Sequence, residues 1–432
     1  MSLITDRMAA LGTEGSFSVG VDIAKAEASG MQVIGFNLGE PDFDTPDFIC
    51  DVAVERLSAG DTHYCAPAGI KSLRRVLAEQ ISETRNIAVD PERVVVTVGA
   101  KPPISYTMLA YVNPGDEVIY PSPGFPIYES FSKFVGGVPV PLHLKEENGF
   151  SFTAEELEAL ITPKTKIIVI NSPSNPTGGV LSKGDLEDIA EVIKAKCNPN
   201  VRIYSDEVYE KILYDGAAHH SIASIKGMAE KTIVVSGHSK SFAMTGWRLG
   251  FAVLPTLEEA KLFTNLNINT TSCSPPFNQA AGVEAYTNPK SDEAVRAMME
   301  QFQMRRDYTV PALNAVDGIT CANPKGAFYV FPNIEGICEK LGVFEAHSSL
   351  SAEMARTVSP SKLFQKFLIY YHGVATTDRQ SFGIIGSENY HNLRLSTAAD
   401  LDMLKKGVQG IDEASKDRNG FSKFMDNLEM YF

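Results

Sequence analysis

Lys240 lies in Ser236–Phe251, SGHSKSFAMTGWRLGF, among small hydroxyl residues and eight positions before Arg248. The β-branched run Thr232–Val235 just ahead of it reads as a buried strand, so the lysine emerges from a strand end. An amine there can be desolvated, lose its proton and form a Schiff base with a carbonyl. The nearby serines and the arginine are groups that hold a phosphate dianion. Together they suggest an internal aldimine with pyridoxal phosphate. Taken alone, the lysine reads as a surface residue on a strand-to-loop turn, and the rest of the chain must decide.

Three more constellations carry chemistry. In Tyr204–Tyr209, YSDEVY, Asp206 falls at the end of an apolar strand. A buried carboxylate there needs a cationic partner, and a protonated pyridine nitrogen would be one. That pairing would make the ring an electron sink, with Tyr209 donating to the ring phenolate oxygen. The alternative is an N-cap Asp beside a packing Tyr. In Asn171–Gly178, NSPSNPTG, the Pro, Asn and Gly residues mark a tight, stiff loop. Asn175 there can bond a ring oxygen or a substrate carboxylate, although by itself the segment is a turn. In Val98–Tyr106, VGAKPPISY, a strand ends at Gly99 and a helix begins with prolines. The free amides of Ala100 and Lys101 would face a phosphate at the helix's positive end, or the segment is a plain connection.

The elements that position these residues alternate. Strands are expected at Val94–Gly99, Glu117–Tyr120, Lys166–Asn171, Arg202–Ser205, Thr232–Val235 and Gly250–Val253. Helices are expected between them at Lys101–Val112, Lys183–Lys196 and Leu257–Leu266. That alternation is the signature of a mostly parallel α/β sheet covered by helices, with ligands at the carboxyl ends of its strands. After residue 290 the character changes. Ser291–Leu313 reads as one long amphipathic helix, expected to bridge the domains, followed by strands at Gly326–Pro332 and Asn392–Thr397 of a smaller α+β unit. Residues 345–361 show no period and read as a surface insertion. Gly420–Phe432 reads as an added amphipathic helix, and Met298, Met299 and Met304 as helix packing.

A chain of 432 residues exceeds the size at which one core stops growing, so two domains are expected. The net charge of -14, from 39 basic and 53 acidic residues, argues against a nucleic-acid partner. The six cysteines contain no C-x-x-C pair, which disfavours metal ligation or a disulfide framework and fits a reducing cytosol. No signal peptide or membrane-spanning run is legible, so a cytoplasmic protein is expected. His219 and His220 read as polar-loop residues, and the His238 side chain is expected to point away from Lys240.

Order and spacing connect the motifs: Asn175, then Asp206 after 31 residues, Lys240 after 34 more, then Arg248. With GEPDFDTP, NSPSNPTGG, YSDEVYE, AMTGWRLGF and NLRLS, the chain resembles the class I/II aminotransferases of the fold-type I pyridoxal-phosphate enzymes. The resemblance runs from about Asp22 to Thr397, and the motifs lie near the bacterial and archaeal aspartate or aromatic branch. It implies a large domain over 46–290, with a mostly parallel seven-stranded-type sheet between helices. It also implies a smaller α+β domain from 1–45 and 291–432.

The roles implied follow the matching positions. Lys240 would be the Schiff-base lysine and proton shuttle, and Asp206 the partner of the pyridine nitrogen. Asn175 and Tyr209 would bind the phenolate oxygen. Arg248, Ser239 and the amides of Ala100 and Lys101 would hold the phosphate, and Phe125 would stack on the ring. Tyr64 would reach the phosphate of a neighbouring subunit, which requires a homodimer with shared active sites. Arg394 would grip the substrate α-carboxylate, with Gly39 on the substrate side as backbone. The implied reaction is ping-pong transfer of an amino group from an L-amino acid to a 2-oxo acid.

Two alternatives remain at this point. The same scaffold supports β-elimination, decarboxylation or oxidative deamination. A cofactor-sensing regulator would need a DNA-binding domain, for which the 38 residues before Gly39 leave little room. The chain also departs from the family pattern, with Ala100 and Pro102 at the junction and Phe125 as the stacking ring. Val374–Gly383, VATTDRQSFG, lacks the usual Pro-Gly pair. Arg379 would there favour an acidic substrate side chain and Asp378 a cationic one, unless both are solvated loop charges.

Overall fold

The computed structural model describes residues 3–12 and 14–432. Among them are twelve strands. The first six are β1 (Ile34–Gly35), β2 (Val94–Thr97), β3 (Glu117–Ser122), β4 (Val138–His143), β5 (Thr165–Asn171) and β6 (Arg202–Asp206). The others are β7 (Thr232–Gly237), β8 (Gly250–Val253), β9 (Tyr329–Val330), β10 (Val374–Ala375), β11 (Thr377–Asp378) and β12 (Leu393–Ser396). Seven form one sheet in the order β2-β8-β7-β6-β5-β3-β4. Only β8 runs antiparallel to its neighbours.

Period-2 alternation along the central strands buries apolar side chains on both faces of the sheet. Ile168, Ile170 and Ile203 pack on one face against Leu186, Ile189 and Ile193 of the helix Lys183–Lys196. Ile167, Val169, Tyr204 and Val235 pack on the other against Ile104 and Met108 of the helix Pro102–Tyr111. Burial on both faces explains why these strands are nearly unbroken apolar runs. Each fully buried Ile or Val contributes roughly 1.5–3 kcal/mol before entropy is counted. The Lys183–Lys196 helix starts at a capping box, in which Ser182 and Asp185 bond each other's backbone amides.

β4, VPVPLH, is absent from the sequence reading. Pro139 and Pro141 break the apolar pattern, and they are tolerated because β4 lies at the sheet edge, where fewer ladder donors are needed.

A second core joins Phe36 to residues far along the chain. It includes Leu313 from the helix Lys290–Asn314, Phe364, Phe367 and Leu368 from Pro360–His372, and Leu393 and Leu395 from β12. Beside it lie the three-stranded sheet β11-β12-β9 and the parallel pair β1-β10. The chain end is the helix Arg418–Asp426 followed by a 3-10 turn at Leu428–Met430, which bury Phe421, Phe424 and Leu428.

Two expectations need correction. Residues 345–361 are not aperiodic: they include the helical turns Val343–Ser348 and Ala352–Ala355, the second capped by Ser351. Phe344 and Met354 there pack on the second core. Met304 is 43% exposed, whereas Met298 is buried and Met299 packs half-buried against the same cluster, so the packing reading fails for Met304 alone. Among the described residues, no helix is long and apolar enough to cross a membrane.

Candidate active site

β5, β6 and β7 end side by side, at Asn171, Asp206 and Gly237, and all three residues line one cavity of about 550 Å³. This is where an open parallel sheet exposes free strand ends and helix N-termini. Gly39, Ala100, Lys101, Phe125, Asn175, Tyr209, Ser239, Lys240, Arg248 and Arg394 line it too. Tyr64 does not: it is 88% exposed, in the loop between the helices Asp47–Ser58 and Lys71–Arg85.

Lys240 sits on the single helical turn His238–Ser241 that follows β7. Its Nζ donates to the Gly39 carbonyl and lies 5.9 and 5.8 Å from the ring centres of Tyr209 and Phe328. Burial, and then the nearby Arg394 cation, push its pKa down to about 8. A lysine so placed is available as a neutral amine far below its ordinary range.

Asp206 and Glu207 turn to opposite sides. Asp206 faces the cavity and accepts hydrogen bonds from Tyr128 Oη at 2.5 Å and Val208 N at 3.4 Å. Burial pushes its pKa up to about 6, and no lysine, arginine or histidine among the described residues forms an ion pair with it. Glu207 turns back into the protein, where Arg85 donates to it at 2.7 and 2.9 Å and Ser205 and Ser221 donate at 2.7 and 2.5 Å. Burial alone would raise Glu207, but Arg85 and His219 outweigh it and hold the carboxyl well below its usual range. His219 lies in the loop expected for it, and its Nε2 stands 3.0 Å from Glu207, which joins it to that buried network. His238 is fully buried, turned toward Gly282 and the Tyr286 ring.

Tyr209 is buried with its hydroxyl 2.7 Å from that of Tyr329. Arg394, on β12, lies between the rings of Tyr329 and Phe382, at 4.7 and 5.0 Å. It donates to Asn175 Oδ1 at 3.2 Å, to Ser16 Oγ at 3.0 Å and to the Asn37 carbonyl, while its buried Nε has no partner. Gly99, at φ +88°, occupies a backbone region that disfavours side chains, and an added Cβ would overlap the Arg248 guanidinium. A Cβ on Gly250 would meet the Ala100 amide at 2.5 Å. Lys101 caps the helix Pro102–Tyr111, with its ammonium paired to Glu14 at the cavity edge, 5.9 and 5.8 Å from the Phe17 and Phe125 rings.

Arg379 and Asp378 do not line the cavity, and both are 1% exposed, so neither reading of them as substrate-facing or as solvated charges holds. Asp378 caps the 3-10 turn Arg379–Phe382 and accepts from Ser381 Oγ. It is the next residues, Ser381 and Phe382, that reach the cavity. Sequence reasoning also passed over Tyr128, Tyr329, Glu14 and Ser16. Tyr128 lies three residues after Phe125, and Tyr329 lies in the strand expected at Gly326–Pro332, but neither tyrosine was given a role.

The fold and the site define an α/β enzyme built around a half-buried lysine at the strand ends. The family model for aminotransferase class I and II matches residues 31–411. An aspartate aminotransferase from Pyrococcus abyssi is 37% identical, over 90% of this chain and 94% of the relative. An aromatic-amino-acid aminotransferase 2 from Thermococcus litoralis is also 37% identical, with the same coverage. The crystal structure of the aspartate aminotransferase from Rhizobium meliloti superposes with a TM-score of 0.85 at 33% identity, covering 96% of this chain and 99% of that one. The chain belongs to the class I and II aminotransferases, and its fold is that of fold type I. It is a transaminase, and nothing found favours the elimination, decarboxylation or deamination alternatives.

Proposed function

We propose that the cavity holds pyridoxal phosphate and serves transfer of the amino group of an acidic or aromatic amino acid to a 2-oxo acid. One observation carries this reading. A lysine with a lowered pKa, a buried carboxylate without a cation and an arginine with an unpartnered Nε converge on one cavity.

The donor set fits the cofactor. Asp206 offers its uncompensated charge to a pyridinium nitrogen, which repays its desolvation. Tyr209 can donate to the ring oxygen, as can the Asn175 amide, whose Oδ1 is already taken by Arg394. Arg248, Ser239 and the amides of Ala100 and Lys101 surround the place for a phosphate. Pro102 and Pro103 contribute no amides there, which puts more of the load on Arg248. Phe125 offers a ring face for stacking.

When bound, pyridoxal phosphate supplies an electron sink for charge developing at the substrate α-carbon and carries the amino group between half-reactions. Arg394 grips the α-carboxylate and so fixes the α-carbon beside Lys240. Lys240 Nζ, steered by the Gly39 carbonyl, would hold the cofactor and, as a free amine, would move the proton of the substrate α-carbon. Asp206 keeps the pyridine nitrogen protonated throughout.

For the substrate side chain, the walls offer Phe17 and Phe125 and one cation, Lys101, balanced by Glu14. These suit an aromatic ring or a second carboxylate, in keeping with the activities named for the relatives above. We read the chain as 46–290 carrying the cofactor and 1–45 with 291–432 forming the smaller domain, a reading supported by the core that joins Phe36 to Leu313, Phe367 and Leu395. The exposed Tyr64 is free to reach the phosphate of a second copy, which supports a homodimer with shared sites. A cytoplasmic setting without nucleic-acid partners accords with the acidic charge.

The test is a panel of amino acids against the visible absorbance of the loaded protein. Acidic or aromatic amino acids should bleach the band and 2-oxo acids should restore it. Release of ammonia or carbon dioxide without any oxo acid would contradict the reading.

A further inference from the structure

Within Val374–Gly383, which departs from the family pattern, Arg379 is a buried cation without an acidic hydrogen-bonding partner. Arg379 Nη1 donates to the Gly383 carbonyl at 3.0 Å, closing the segment on itself. Nη2 donates to Ser122 Oγ at 3.1 Å, and so ties the segment to the end of β3 in the large sheet. Its guanidinium stands 5.8 Å from the Tyr390 ring centre. Burial pulls the Arg379 pKa down to about 10, still far above neutrality, so the cation persists at the cost of its hydration.

Two neighbouring bonds run the same way. Gly124 N donates to the Phe382 carbonyl at 2.9 Å, and Ile384 N to Glu129 Oε2 at 3.0 Å. Gly383, at φ +119°, lets the chain pass close to β3, since a Cβ there would sit 3.1 Å from Ser122 Oγ. The result of this bracing faces the cavity. The Phe382 ring centre stands 5.0 Å from the Arg394 guanidinium, which is also 4.7 Å from the Tyr329 ring centre.

We propose that Arg379 is a positioning residue for substrate-carboxylate recognition: by stapling Arg379–Gly383 to Ser122 it holds Phe382 against Arg394 and keeps the guanidinium aimed into the cavity. The proposal rests on the reading of Arg394 as the carboxylate grip. Loss of the staple lets Phe382 withdraw, and Arg394 then samples orientations that do not match a carboxylate fork. The consequence lies in binding, because no reacting atom touches Arg379.

The experiment uses the cofactor-loaded enzyme with two unreactive carboxylates, maleate and 3-phenylpropionate, and follows whichever binds the wild type. Arg379→Ala should raise the dissociation constant about tenfold and raise KM for amino acids similarly, with kcat within about twofold. Guanidinium ion at millimolar concentration should restore affinity in Arg379→Ala by refilling the site between Ser122, Gly383 and Tyr390. A residue serving stability alone would shift the melting temperature without this KM-against-kcat split or rescue. Ser122→Ala, which removes one bond and leaves the cation in place, should weaken carboxylate binding about threefold. It decides the matter if Arg379→Ala does not fold.

Carboxylate affinity within twofold of wild type in a folded Arg379→Ala, or in Ser122→Ala where Arg379→Ala fails to fold, overturns the proposal. Arg394→Ala separates this from failure of the underlying reading. If that variant binds the carboxylates normally, the grip itself is misassigned. If it loses them while the Arg379 and Ser122 variants do not, only the positioning role falls.

Discussion

Asp206 and Glu207 are consecutive residues at the end of β6, yet their carboxylates have opposite environments. Asp206 meets one tyrosine hydroxyl and the cavity, and burial raises its pKa to about 6. Glu207 is locked into Arg85 and His219, and its pKa is held well below the usual range. Strand alternation places one acid on the side of the chemistry and the other on the side that anchors it.

That contrast predicts a pH-dependent cost in the cofactor-free protein. The folded pKa of Asp206, about 6, lies above the ordinary 3.8. The folded state therefore binds more protons between about pH 4 and 6, and stability falls as pH rises through that window. Asp206→Asn should stabilise the cofactor-free protein at pH 7 by up to about 3 kcal/mol and have no effect below pH 4. Melting curves from pH 3.5 to 8 with and without cofactor check this. With cofactor bound, the variant should be the less stable of the two.

Breaking the anchor should be costly at any pH near neutrality. Arg85→Met leaves Glu207 and Glu210 buried against each other without their cation. Removing one partner of such a pair costs about 3–5 kcal/mol. Denaturant unfolding measures it, and Arg85→Met combined with Glu207→Gln and Glu210→Gln should recover much of the loss.

Gly99 tests the phosphate cradle. Gly99→Ala should both strain the backbone at φ +88° and displace the Arg248 guanidinium, lowering cofactor affinity about tenfold or more. Gly115→Ala, at φ +87° with open space around it, is the control: it should cost similar stability and leave cofactor retention unchanged. Equilibrium dialysis distinguishes the two.

Tyr64 tests the shared site. Tyr64→Phe should speed cofactor loss several-fold. Mixed dimers of Tyr64→Phe and Lys240→Ala should then gather both lesions in one site and leave the other with the cofactor retention of the wild type. Fast cofactor loss from the site that keeps Lys240 would place Tyr64 in its own subunit's site and count against a contribution across the subunit boundary.

Most of the central sheet was legible because its strands are buried on both faces and therefore spell continuous apolar runs, as at Lys166–Asn171. Edge strand β4 was not, since Pro139 and Pro141 are compatible with an edge but erase the pattern. Asp206 and Lys240 were visible because a charge at the end of an apolar strand is costly without a purpose, whereas Arg394 was visible only through the match of NLRLS to the family. Tyr128 and Tyr329 were not, because a tyrosine in an apolar segment looks the same whether or not its hydroxyl is used. Arg379 was noticed as a departure but misread: nothing local in the sequence tells a charge facing a cavity from one turned toward the end of another strand.

The most direct measurement is borohydride reduction of the cofactor-loaded protein followed by peptide mass mapping. The label should reside on Lys240, and Lys240→Ala should bind cofactor without becoming labelled and should lose turnover. A label on another lysine, or normal turnover in Lys240→Ala, would contradict the account.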